Sequence, residues 1–134
     1  MIIKITSDKE RAKSRLAMIA PREKVLEELE KIKAYPTKIA EDYYEIIKEL
    51  CVAIGLVWGF KTIGENAHKE IMEIASKYGE FERADIEIIQ DLRVRRNKSS
   101  YEGKPIEQIY LDNNKDDLSR IINKLKGVLN NLLE

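Results

Sequence analysis

Between Thr37 and Gly59 the chain carries two adjacent apolar stripes at helical spacing, and that pair constrains the architecture more than any other feature. Ile39, Tyr43, Ile46, Leu50, Ala53 and Val57 form one stripe; Ala40, Tyr44, Ile47, Cys51, Ile54 and Trp58 form its neighbour. A helix lying on the outside of a core needs only one such stripe, whereas a helix apolar over so wide an arc has neighbours on several sides. The segment is therefore expected to be the middle helix of a bundle, capped by Thr37 after Pro36 and ending around Gly59.

The flanking segments supply the neighbours. Ser7-x-x-Glu10 and Thr62-x-x-Glu65 have the spacing of capping boxes, in which a hydroxyl accepts from the third helical N–H while the glutamate reaches back. The first of these helices carries Leu16 and Ile19 and then meets Pro21, where the missing N–H and the ring clash predict a break or kink. Val25, Leu26, Leu29 and Ile32 resume an apolar stripe that ends at Tyr35-Pro36. The second box opens a helix with Ala67, Ile71, Ile74, Ala75 and Tyr78 inward and Gly79 as its stop. Another helix begins near Glu82–Asp85 and is broken by Glu102-Gly103-Lys104-Pro105. Ile106–Leu111 reads as either a helical turn or an extended piece. The last helix is expected from Asn113 or Asn114, with Leu118, Ile121, Ile122, Leu125, Val128, Leu129, Leu132 and Leu133 on one stripe. Met1–Thr6 alternates weakly and reads as an extended arm. Together these segments predict a single all-α domain over residues 1–134. It is an up-and-down bundle of four or five helices with Tyr43, Ile47, Leu50, Ile54, Ile89, Ile122 and Leu125 in its core.

Composition narrows the function classes. The 24 basic and 24 acidic residues cancel, so net charge draws the chain neither to nucleic acid nor to an anionic membrane. Any electrostatic site must be local, and the densest basic cluster is Arg93, Arg95, Arg96 and Lys98. The longest apolar run, Leu50–Phe60, has 11 residues including two glycines, against the ~20 a membrane span requires. Ile2, Ile3 and Ile5 are too few for a signal peptide. The single cysteine, Cys51, excludes an internal disulfide, and its neighbours Leu50, Val52 and Ala53 mark it as a buried thiol rather than a nucleophile. A cytoplasmic protein is expected. His68 is the only histidine and cannot make a zinc site without cysteines beside it. Phosphate-binding glycine loops, metal-ligand clusters and Ser/His/Asp constellations are absent, so no metal and no cofactor is expected. High Lys and Glu with two glutamines leans towards a thermophilic composition, while seven asparagines pull the other way.

The chemistry concentrates in Ile86–Gly103. On a helix, Ile86, Ile89, Arg93, Arg96, Asn97 and Ser100 fall within an arc of about 100°. The stripe starts apolar and turns polar two turns later. Two guanidiniums, an amide and a hydroxyl directed at neighbouring helices need a partner, water or a ligand. The alternative is that the bundle ends near Arg93 and these groups stand in water. Arg95, on the opposite face, reads as solvated surface.

At Leu92-Arg93-x-x-Arg96-Asn97-x-x-x-Tyr101 the chain resembles the HEPN superfamily, small helical bundles that accompany minimal nucleotidyltransferases or act as RNA-cutting toxins. Upstream, Tyr43–Leu50, Gly59-Phe60-Lys61 and Ala67-His68-Lys69-Glu70 are similar to the central and third helices of archaeal and bacterial members. Downstream, Tyr101-Glu102-Gly103 and the amphipathic Asp116–Leu129 segment fit as well, so the resemblance spans about Thr37–Leu129. In active members an arginine, then four to six residues often beginning with Asn, then a histidine cut RNA without metal: the arginine steadies phosphate and the histidine serves the 2′-OH. Arg96 and Asn97 match the first part. Tyr101 stands at the histidine position, and no histidine follows it.

The resemblance implies a HEPN-like fold with Arg96 and Tyr101 in the catalytic positions and a ligand-binding set of Arg93, Arg96, Asn97, Ser100 and Tyr101. It also implies a homodimer, or pairing with a nucleotidyltransferase subunit in a toxin–antitoxin setting, with RNA or a nucleotide as ligand and no membrane partner. A phenol of pKa near 10 is a poor base at neutral pH, where imidazole titrates. The expected function is thus non-catalytic phosphate binding. Two alternatives stay open: a metal-independent ribonuclease in which Tyr101 or His68 replaces the missing histidine, and a structural module in which Arg93 and Arg96 pair with Glu45 or Glu49.

Overall fold

The structure is a computed structural model describing residues 1–134. Its elements in chain order are β1 (Ile2–Lys4), α1 (Lys9–Ala17), α2 (Ile19–Lys31), α3 (Pro36–Trp58), β2 (Phe60–Thr62), α4 (Ala67–Tyr78), α5 (Arg83–Glu102) and α6 (Gln108–Leu133). Only Met18 separates α1 from α2, so the two act as one broken rod and the bundle has five. The expected all-α bundle is what forms, and none of its helices is long and apolar enough to cross a membrane.

α3 packs against all five other helices and against β2. This follows from its double stripe: Ile39, Ala40, Tyr43, Tyr44, Ile46, Ile47, Leu50, Cys51, Ala53 and Ile54 are all buried. The seven core residues expected from the sequence are each 3% exposed or less. The stripe fails at its end. Trp58 is 46% exposed and stacks on Tyr78, itself 40% exposed, with ring centroids 4.6 Å apart. Val25 and Ile32 likewise stand outside, leaving Ile19 and Leu26 to anchor α2.

Neither capping box forms. Asp8 caps α1, its carboxylate accepting from the Arg11 N–H at 3.0 Å. Ser7 serves another helix: its hydroxyl donates to Val57 O at 2.6 Å while the Asp8 N–H donates to Leu56 O at 2.9 Å. These are carbonyls of the last turn of α3, which have no partner within their own helix. Gly59 makes the arrangement possible. It takes φ +86°, and a Cβ there would lie 2.7 Å from Ile5 O. Thr62 is not a cap but a strand residue. Its hydroxyl donates to Ala67 O at 2.6 Å, and α4 starts after Asn66. The expected extended arm is β1, which pairs antiparallel with β2 in the register Ile2↔Thr62, Ile3↔Lys61 and Lys4↔Phe60.

The break expected at Pro21 comes three residues earlier, at Met18. Pro21 sits in the first turn of α2, where its missing N–H leaves no intrahelical bond unmade. Thr37 is not the cap of α3 either. The cap position is Tyr35, and the Thr37 hydroxyl accepts from the Ile106 N–H at 2.9 Å, pinning the α5–α6 loop to α3. α6 begins at Gln108, ahead of the expected Asn113 or Asn114, because Tyr110 and Leu111 already belong to its buried face.

Candidate functional site

The polar end of α5 meets α3 and α4 on one flank of the bundle. The guanidinium carbon of Arg96 lies 5.0 Å from the centroid of the Tyr44 ring, a cation–π contact worth ~0.5–2 kcal/mol depending on desolvation. Its nearest carboxylate oxygen, on Glu45, is 4.0 Å away, and Nη1 donates to Asn97 Oδ1 at a long 3.4 Å. The Arg96 side chain is only 22% exposed. An aromatic face therefore holds the guanidinium in place, yet no bidentate carboxylate occupies its N–H groups. Arg93, half-buried, donates from Nε to Gln90 Oε1 at 2.7 Å.

Beyond Tyr44 the network continues. The Tyr44 hydroxyl lies 2.8 Å from Nδ1 of His68, in the first turn of α4. Lys48, one turn along α3, pairs with Glu45 at 2.9 Å and approaches Glu49 at 3.7 Å. Glu49 in turn takes Arg15 of α1 at 2.6 Å.

Burial pushes the Tyr44 phenol up to about 12, against the pull of Arg96, so it keeps its proton across the physiological range. His68 is held below its ordinary value of 6.5, first by burial and then by the positive fields of Lys48 and Arg96. At neutral pH the imidazole is uncharged. Where its proton sits on Nδ1, the ring donates to the Tyr44 oxygen and Nε2 is left as a free acceptor.

The structure brings together only part of the set expected from the sequence. Arg93, Arg96 and Asn97 are half-buried on the flank, whereas Ser100 is exposed and Tyr101 is 81% exposed. The buried stripe of α5 runs through Asp85, Ile89 and Leu92, turned from the expected one, so Ser99 faces inward in place of Ser100. The Ser99 hydroxyl donates to Glu41 Oε1 at 3.3 Å. The last buried residue of α5 is Leu92, so the core does end next to Arg93, and Arg93, Arg96, Asn97 and Ser99 beyond it are half-buried rather than standing free in water. Arg95 is more than solvated surface, since it pairs with Asp91 at 2.9 Å and lies 4.7 Å above the ring of buried Tyr110.

Tyr44, Glu45, Lys48 and His68 were not part of the expected binding set. Tyr44 sits in the apolar stripe of α3, which hides the polar end of its side chain. His68 is 24 residues away in sequence from the phenol it meets, and no local pattern couples them. Cys51 is the buried thiol expected, raised to about 12 by burial alone. No group of three or more His, Cys, Asp and Glu side chains stands close enough to hold a metal ion. Comparison with protein-family models, with curated proteins and with solved structures found no match.

Proposed function

We propose that the chain is a HEPN-like domain that binds RNA or a nucleotide through phosphate contacts made by Arg96, without cutting it. One observation carries the reading. Arg96 is positioned by the Tyr44 ring and has one carboxylate neighbour, Glu45, at the 4.0 Å edge of ion-pair distance, which leaves guanidinium N–H groups available to a phosphate. Asn97 and Arg93 flank it as further donors. Tyr101, exposed at the helix end, contributes at most one hydrogen bond from its hydroxyl. The resemblance adds self-association, or pairing with a nucleotidyltransferase subunit, as the assembly in which the site works.

The test is purification with and without an RNase step, followed by RNA-binding titrations of the wild type and Arg96→Ala. Co-purifying RNA and lost binding in a folded Arg96→Ala protein support the reading. If Arg96→Ala only unfolds the bundle, the arginine is a structural ion partnered with Glu45.

A second reading has its own observation. His68 joins Arg96 through the single residue Tyr44, and its uncharged imidazole has the protonation state of a general base. RNA degradation by the wild type that disappears in His68→Ala would make the domain a metal-independent ribonuclease.

A further inference from the structure

On the other side of His68 a cleft of about 320 Å³ opens between α1, α3, β2 and α4. Its volume is at the lower end of the ~300–1,000 Å³ usual for small-ligand sites. Arg15, Lys48 and Lys61 enter it from three different elements, together with His68 and a single carboxylate, Glu49. Glu49 bridges Arg15 and Lys48, and Glu45 holds the far side of Lys48. Lys61 has no carboxylate within ion-pair distance. The guanidinium of Arg15 is incompletely satisfied as well: its Nε is shut off from solvent with no acceptor. Behind the charges the lining turns apolar, with Leu56 and the half-buried ring of Phe60.

We propose that this cleft is a mononucleotide site, taking a phosphate monoester between Arg15, Lys48 and Lys61 and a flat base against Phe60 and Leu56. The division of the lining decides the class of ligand. Cations from three elements suit a compact anion, and the apolar floor suits an aromatic body rather than a sugar or an amino acid. Arg96 does not line the cleft, although His68 and Lys48 connect the two through Tyr44 and Glu45. A phosphate drawing the Arg15 guanidinium outward would also give Nε the acceptor it lacks. The groups facing His68 here are Lys48, Glu45 and Glu49 of α3, Arg93 and Arg96 of α5, Lys61 of β2 and Arg15 of α1.

The chain has one histidine, so the untagged protein gives a single imidazole signal to follow by proton NMR. That signal is titrated with pH alone and in the presence of adenosine, inorganic phosphate or AMP. The expected result is that AMP moves the His68 midpoint to higher pH, adenosine does not, and inorganic phosphate does so more weakly. Lys61→Glu, a surface change, is expected to weaken AMP binding by about tenfold or more, with Arg15→Gln as an independent second cut. A 5′-phosphorylated dinucleotide binding more tightly than AMP assigns the site to an RNA end; weaker binding assigns it to a free nucleotide. No response to millimolar AMP overturns the proposal, as does an equal response in folded Lys61→Glu or a response to phosphate matching that to AMP. Arg96→Ala separates the two sites. It is expected to lose RNA binding while keeping the AMP response, so failure of either reading leaves the other standing.

Discussion

The Tyr44 hydroxyl and Nδ1 of His68 stand 2.8 Å apart, joining the core of the central helix to the one imidazole of the chain. A fully buried tyrosine is thus linked through its oxygen to an exposed imidazole, with Arg96 lying over the same ring.

The depressed state of His68 has a definite sign. Burial and then Lys48 and Arg96 favour the uncharged ring, so the unfolded chain binds the proton more readily. The associated stability is complete above the unfolded value of 6.5 and is lost as pH falls through the folded value. Lys48→Met is expected to raise the His68 midpoint in an NMR titration, since it removes one of the positive fields. Tyr44→Phe is expected to leave the midpoint depressed, burial being the leading cause, and to cost about 1–2 kcal/mol in a denaturant melt.

Acid stability should depend on Asp85. This carboxylate, 5% exposed in the first turn of α5, accepts from Arg120 Nη2 at 2.7 Å and Nη1 at 3.2 Å. The hydrogen bonds from Arg120 hold it below its ordinary 3.8, so its contribution is present above 3.8 and lost as pH falls through the folded value. Asp85→Asn is expected to destabilise by about 1–2 kcal/mol at neutral pH and to flatten the acid limb of the stability curve.

Two glycines with positive φ should respond differently to alanine. At Gly59, φ is +86° and the new Cβ would meet Ile5 O at 2.7 Å; at Gly103, φ is +69° and nothing lies within 4 Å. Gly103→Ala carries only the backbone cost, about 1 kcal/mol. Gly59→Ala adds a clash with main chain and is expected to cost about 2–4 kcal/mol in thermal or urea unfolding. Equal losses at the two sites would show that the close approach of β1 to the α3 terminus is not maintained in solution.

For RNA binding the neighbouring arginines should part company. Arg96→Ala is expected to weaken binding by about 1.5–3 kcal/mol, the value of a hydrogen bond to a charged group. Arg95→Ala removes cover from Tyr110 and should instead lower stability by about 0.5–1 kcal/mol. Tyr101→Phe should change binding little, given the exposure of its ring, while Tyr101→His restores the motif residue and tests for gained cleavage. Equal binding losses from Arg95→Ala and Arg96→Ala in folded proteins would reduce the site to a diffuse basic patch.

Residue spacing alone was enough for the α3 core, the burial of Cys51 and Ile89, and the glycine stops at Gly59 and Gly103, because each follows from helical period or local backbone freedom. Gly79 also ends α4, but in the right-handed region, and the positive φ falls on Glu80. The same local reasoning misassigned Ser7, Thr37 and Thr62. Each hydroxyl found a partner remote in sequence or outside the cap geometry: Ser7 the end of α3, Thr37 the backbone of Ile106, Thr62 the carbonyl of Ala67. A capping signature states what a hydroxyl can satisfy within its own turn, whereas the folded chain offers it every unpaired group nearby. The candidate site divides in the same way. Arg93, Arg96 and Asn97 share a face because helix geometry puts them there, while the exposure of Ser100 and Tyr101 depends on where neighbouring helices stop. Only tertiary packing could bring Tyr44, His68 and Arg96 together, since no spacing rule acts between residues on three separate helices.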